Sequence, residues 1–323
     1  MLAQMQVEVR DERSEAADPV HDGRPGHTGH GRHSGADGHS GHSGDATSPE
    51  EIRRSLLIHD RVFKRSHQEI ASWLEVGREH RVLDAGCGVG GMTAVFTQLA
   101  ASLEAIDLDE QNVAETWIRV NATAGTRDVR VATGDLTALA YEDATFDLVW
   151  CSRVIHHVPD TVAAVRELVR VTRPGGTIAI REGGFPFRVL PDDIGLGERW
   201  LEDRLSAAGV GRFGRPREPE AGSVPYPFGW SQLLADACLV DVETKTFGFD
   251  SLSPLSADEE AWVTHHWRRW LTREDWRALL GPEDIEVMEQ LLDPDSPHHL
   301  FRRTDLHLRA GLTVDTGRKP ASA

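Results

Sequence analysis

Apolar positions along the chain follow two alternating rhythms. Short apolar runs at Val82-Leu83, Leu103 to Ile106, Val129 to Ala132, Phe146 to Trp150 and Thr177 to Ile180 are bounded by polar or glycine positions and predict strands. Between them, Met92 to Ala101, Gln111 to Ala124 and Val162 to Val171 carry helical spacing. Strand and helix in alternation predict βαβ units, hence a parallel sheet covered on both faces. Upstream, Ser48-Pro49-Glu50-Glu51 has the makings of a helix start, with Ser to cap, Pro first and acids in the first turn. Ile52, Leu56, Val62-Phe63, Ile70 and Trp73-Leu74 then recur at helical spacing, so one or two amphipathic helices precede the first strand.

Beyond the fifth strand the rhythm breaks. Residues 185–228 are rich in proline, with one helix-like piece at Gly197 to Ala208, and are too long for a plain connection. A helix from Trp230 to Cys238 and a strand from Leu239 to Phe249 resume the pattern. A second insertion, 251–300, is helical from Ser256 to Leu292 and precedes a last strand, Leu306 to Thr316. Both insertions follow strands whose C-terminal ends face or adjoin a ligand crevice, which predicts a cap over a substrate. In the second, Trp262, His266 and Trp270 share one helical stripe, suited to packing on the domain or to an aromatic wall. The expected fold is α/β, a doubly wound, mostly parallel seven-stranded sheet over residues 48–323 with helical cap insertions.

Composition narrows the partners. With 35 basic and 52 acidic residues the formal charge is −17, which opposes nucleic acid. Cys87, Cys151 and Cys238 are far apart and form no CxxC pair, so a reducing, cytoplasmic setting is expected, with no disulfide framework and no metal in the folded part. No apolar run approaches a membrane span, and the start lacks a signal-peptide pattern. Residues 1–47, where His21, His27, His30, His33, His39 and His42 stand among glycines, cannot bury apolar surface and are read as a disordered tail. A metal-binding tract is the alternative there.

The chemistry concentrates in Arg81 to Thr93, RVLDAGCGVGGMT. An apolar strand turning on glycines into a helix presents backbone N–H groups with no Cβ to keep a nucleotide away. Gly86, Gly88 and Gly91 also satisfy GxGxxG, so a dinucleotide site stays open. Asp84, however, repels phosphates and suits a cation. Asp107 lies 21 residues beyond Gly86, the separation at which an acid reaches ribose hydroxyls.

In order, D-x-G-x-G-x-G from Asp84, IDLDEQNV around Asp107, the Gly134-Asp135 pair, FDLVW followed by VIHHVPD, and the RPGG turn at 173–176 resemble the class I S-adenosylmethionine-dependent methyltransferases. They are similar in particular to the small-molecule enzymes of the ubiquinone and menaquinone type. The resemblance implies S-adenosyl-L-methionine as cofactor, with Asp84, Gly86, Cys87, Gly88, Gly90, Asp107 and Leu108 around it. It further implies Asp135 at the adenine amino group, Leu136 on the ring, and Cys151 and Ser152 beside the methionine moiety. His156 or His157 then reaches the acceptor as general base, histidine titrating near neutral pH. Glu182 is a candidate for a cationic or hydroxylic acceptor group and Arg153 for an acidic one. The expected reaction is methyl transfer to O, N or C of a small molecule; an NAD(P)-dependent oxidoreductase and an inactive cofactor-binding module are the alternatives.

Overall fold

The computed structural model describes residues 48–123, 128–213 and 226–321, so the His/Gly-rich tail and part of the first insertion lie outside the described residues. The chain opens with α1 (Pro49–Val62) and α2 (Lys64–Trp73). Ser48 caps α1 as expected: its Oγ accepts from the Glu51 N–H, while the Glu51 carboxylate accepts from the Ser48 N–H. There follow β1 (Arg81–Ala85), α3 (Gly91–Leu99), β2 (Ser102–Asp107), α4 (Glu110–Thr123), β3 (Asp128–Thr133), β4 (Phe146–Ser152), α5 (Thr161–Val171) and β5 (Thr172–Gly183). The remainder is α6 (Leu201–Phe213), α7 (Trp230–Asp236), β6 (Val240–Leu252), α8 (Ala257–Thr272), α9 (Glu274–Arg277), α10 (Pro282–Leu292) and β7 (His307–Arg318).

The strands form one seven-stranded sheet in the order β3-β2-β1-β4-β5-β7-β6, parallel except at β7, which runs antiparallel to both neighbours. Alternate residues of each central strand are buried on opposite faces. Val82, Trp150 and Ala179 join the core under α1, α2, α3, α8 and α10, whereas Leu83, Cys151 and Ile180 join the core under α5 and α7. The order reverses direction between β1 and β4, so a crevice opens beyond their C-terminal ends.

One local expectation is corrected. The RPGG segment is not a simple turn, since β5 already begins at Thr172 and takes up 173–176 as an irregularity between its pairings with Phe146 and Leu148. Gly175, at φ +78°, donates to the Lys319 carbonyl, and Lys319 returns its own N–H to Gly176 and its ammonium to the Val169 and Thr172 carbonyls. The end of the chain thus stitches the segment into the sheet. The second insertion is broken at Arg273 and Gly281 into three helices, with Pro282 restarting the third.

The insertions lie on the α1–α2 side of the sheet. Val189, Leu201, Leu205, Trp262 and Val287 share the first core with Phe63 and Ile70. The Arg204 guanidinium grips Asp284 through Nε and Nη2, tying α6 to α10, and Arg61 on α1 pairs with Asp258 on α8.

Candidate functional site

The glycine turn joins β1 to α3. Gly86 and Gly90 take φ +83° and +79°, and a Cβ on Gly86 would lie 2.2 Å from Val154 Cγ2, so the turn meets the loop after β4 only because it has no side chain there. The expectation of bare N–H groups is not met. Gly86 and Cys87 both donate to the Ile106 carbonyl, Gly90 donates to Cys87, and Gly88 donates to Asp107 Oδ2 at 2.8 Å. These four amides are not available to a pyrophosphate, which weakens the argument for a dinucleotide at the turn itself.

Asp107 ends β2 at the lip of the crevice. Its Oδ1 accepts from the Asp109 N–H and from Asn112 Nδ2, and its Oδ2 from Gly88 alone. A carboxylate offers about four acceptor positions, so one remains on Oδ2 for a hydroxyl. Beside it Leu108 is 60% exposed, a large apolar side chain at the position where a planar ring would sit. On the adjoining strand end, just after Gly134, which donates to the Asp107 carbonyl, Asp135 spends Oδ1 on the Thr137 N–H and hydroxyl; its Oδ2 has no hydrogen-bond partner among the described residues. A nucleoside with a ribose and an amino-bearing ring fits this donor and acceptor set.

Other expected contacts are turned away. Leu136 and Cys151 bury their side chains in the α5–α7 core, and burial pushes the Cys151 thiol well up. Burial likewise raises the Cys87 thiol, the neighbouring Asp84 adding to it and the Thr116 hydrogen bond working against it, so neither cysteine offers a thiolate. Asp84 is 2% exposed beneath the turn, with Oδ2 accepting from the Thr93 hydroxyl at 2.6 Å. Burial lifts its carboxyl to about 7; the Thr93 hydrogen bond works against this and the neighbouring Asp107 charge adds to it.

Glu182 is the principal correction. Its side chain is 0% exposed, and Oε1 accepts from the Val154 and Ile155 N–H groups at 2.8 Å each. Oε2 lies 2.5 Å from His156 Nδ1. Its side chain enclosed and three of its about four acceptor positions spent on the β4–α5 loop, Glu182 positions that loop and its histidine. His157 is exposed, its ring centroid 3.8 Å from that of His156. Arg153, at φ +60°, is exposed at the same loop.

A polar cluster that sequence reasoning did not single out faces the crevice from the N-terminal helices. Asp60 on α1 pairs with Arg119 Nη1 at 2.6 Å and stands 3.7 Å from His59 Nδ1; His67 on α2 completes the group. Burial lowers His59 to about 4 and His67 to about 3, so both rings are neutral. Burial alone would raise Asp60, but its contacts with His59, His67 and Arg119 outweigh it and hold the carboxyl below its ordinary value. Asp60 leaves no space for a Cβ on Gly91, and Leu56 overlies Gly88. The Arg53 side chain reaches Asp109 Oδ2 at 3.3 Å. Helix α1 therefore spans the mouth of the cofactor crevice. Arg181, at the end of β5, is 6% exposed and gives Nε to Ser152 Oγ at 2.7 Å. The signal for these residues was present only as polar interruptions on the apolar face of a helix.

Residues 83–180 match the family described as Methyltransferase domain. Over 121 residues the chain is 33% identical to the malonyl-[acyl-carrier protein] O-methyltransferase of Enterobacter lignolyticus, covering 38% of this chain and 46% of that protein. Over 132 residues it is 34% identical to the 27-O-demethylrifamycin SV methyltransferase of Amycolatopsis mediterranei, covering 39% and 46%. The matched stretch spans less than half the length of these curated relatives. Among solved structures, the YcgJ protein of Bacillus subtilis aligns with 79% of this chain and 98% of its own at 18% identity, with a TM-score of 0.46. No helix among the described residues is long and apolar enough to cross a membrane.

Proposed function

We propose, from the premise that residues 83–180 are a class I S-adenosylmethionine-dependent methyltransferase domain, that the chain transfers a methyl group from that cofactor to a small-molecule acceptor. The observation that carries the reading is Asp107, which ties the glycine turn to the end of β2 while keeping an acceptor position on Oδ2 for a ribose hydroxyl. Leu108 and Asp135 would receive the adenine, and the end of β4 at Ser152 the methionine moiety. When bound, the cofactor supplies an electrophilic methyl group on a sulfonium.

The remaining work falls to the chain. In-line displacement needs the nucleophile held on the axis of the bond that breaks, away from water. The cap of α6, α8 and α10, closed against α1, serves that exclusion. His156 is the base for an acceptor with a hydroxyl or amine proton. Glu182 holds Nδ1 as the donor nitrogen, which makes Nε2 the basic one. The arrangement suits a cytoplasmic enzyme acting on a diffusible substrate.

Calorimetric titration of the purified chain with S-adenosylhomocysteine and with NAD tests the premise. The expected result is one-to-one binding of the first and none of the second. Binding of NAD alone would overturn the reading, and transfer of label from methyl-labelled cofactor into a metabolite pool would identify the acceptor.

A further inference from the structure

The acceptor side of the crevice contains a buried cation that the proposed methyl transfer does not use. Arg181 is 6% exposed, yet among the described residues its guanidinium has one hydrogen-bond partner, Ser152 Oγ, and no carboxylate. It lies on the face of the sheet that carries Ser152, Trp150 and Ala179, towards α1 and α2. His59, His67, Asp60, Arg153 and Glu182 are within electrostatic reach of it, and burial together with the Arg153 charge draws it down to about 10. A guanidinium buried with no carboxylate in direct contact has room for a directly paired anion.

A second donor points the same way. Trp262 on α8 is 5% exposed, and its indole N–H is buried with no hydrogen-bond partner among the described residues. Its ring centroid lies 4.6 Å from those of Phe187 and His266 and 5.3 Å from that of Phe63, on which His59 stacks at 4.5 Å. His266 gives Nδ1–H to the Trp262 carbonyl and is itself within reach of Arg153. Rings from α1, α8 and the segment after β5 thus pack together, on the face of the sheet where Arg181 also lies.

We infer that this cluster is the acceptor subsite and that it takes a carboxylate on an aromatic or aliphatic body, held by the Arg181 guanidinium and the Trp262 indole N–H. The inference rests on the methyl-transfer reading and names the class of its substrate. Arg119 is spent on Asp60, and Glu182 on His156 and the loop amides, whereas Arg181 has no carboxylate in direct contact among the described residues, which suits an anionic group there. The Arg119 contact disfavours a metal ion, although His59, Asp60 and His67 bring ligand atoms within 4.8 Å of one another. Asp60 is their one anionic ligand, and Arg119 already holds it.

The test titrates benzoate, its neutral isostere benzamide, and phenyl phosphate into protein saturated with S-adenosylhomocysteine. Benzoate is expected to bind one-to-one and at least about tenfold more tightly than benzamide, the factor for a charge-assisted pair, with phenyl phosphate weaker than benzoate. Arg181→Met should weaken benzoate by about tenfold or more and Trp262→Phe by about threefold, with the affinity for S-adenosylhomocysteine unchanged. If Arg181→Met fails to fold, the wild-type ratio of benzoate to benzamide decides alone. Equal binding of benzoate and benzamide, preference for phenyl phosphate, no benzoate binding, or stoichiometric zinc binding lost in Asp60→Asn would each overturn the inference. Protein that does not bind S-adenosylhomocysteine refutes the methyl-transfer premise instead, so the two failures are distinct.

Discussion

Asp107→Asn separates the structural from the ligand-binding duty of one carboxylate. Three N–H donors converge on Asp107: Gly88 on Oδ2, Asp109 and Asn112 on Oδ1. An asparagine has one carbonyl oxygen, so its NH₂ must face at least one donor. The least costly orientation keeps the oxygen towards Asp109 and Asn112 and turns the NH₂ on Gly88. The lost acceptor for a half-buried backbone N–H costs about 1 kcal/mol of stability, the low end for an unsatisfied group. For a domain of this size that lowers the melting temperature by about 2–4 °C. The NH₂ also replaces the acceptor position left for the ribose. Loss of a hydroxyl–carboxylate bond removes about 1.5–3 kcal/mol, which weakens cofactor binding by about 10- to 150-fold. Scanning calorimetry of the free protein gives the first quantity and titration with S-adenosylhomocysteine the second. A dissociation constant within about threefold of wild type would refute the assignment of Asp107 to the ribose.

Three further outcomes are expected. Glu182→Gln should lower kcat by about 10²- to 10⁴-fold and shift its pH profile while cofactor affinity holds, and an unchanged profile would show that His156 is not the base. Cofactor affinity should rise with pH up to about 7 and then level. Folded, unliganded protein keeps Asp84 protonated below that value, and a bound cation favours the carboxylate. Correspondingly, the free protein should lose stability as pH rises from about 4 to 7, where the unfolded chain has already released this proton; Asp84→Asn should flatten both dependences. Gly86→Ala demands φ +83° of alanine and drives Cβ into Val154; the displaced loop carries His156, so turnover in the labelled-methyl assay should fall more than thermal stability.

The sheet and its helices were legible because their signals are local. Period and punctuation located β1 to β4 to within a residue or two, and the capping residues of α1 are visible in the bare string Ser48-Pro49-Glu50-Glu51. What failed to show needed partners distant in the chain. RPGG resembles a turn until Lys319 is known to pair with it, and the glycine amides look bare until Ile106 and Asp107 are placed beside them. The two insertions were recognisable as interruptions, but their mutual packing through Arg204 and Asp284 joins residues eighty positions apart. Helical spacing alone does not reveal such contacts.

The site residues follow the same division, and β5 shows where the information was lost. Ending that strand at Ile180 makes Arg181 and Glu182 neighbours in a loop, both free to face a ligand. The strand in fact continues to Gly183, so the two side chains fall on opposite faces, one residue apart in a two-residue repeat. Parity then assigns them. Arg181 shares the face of Ala179, under α1 and α2, with no carboxylate in direct contact among the described residues; Glu182 shares the face of Ile180 and is consumed by the amides of the β4–α5 loop. Charge type had suggested the reverse, with the acid reaching out and the base left unassigned. The governing variable was strand length, because three further residues of extended backbone decide which of two adjacent charges faces α1 and α2 and which positions the histidine loop.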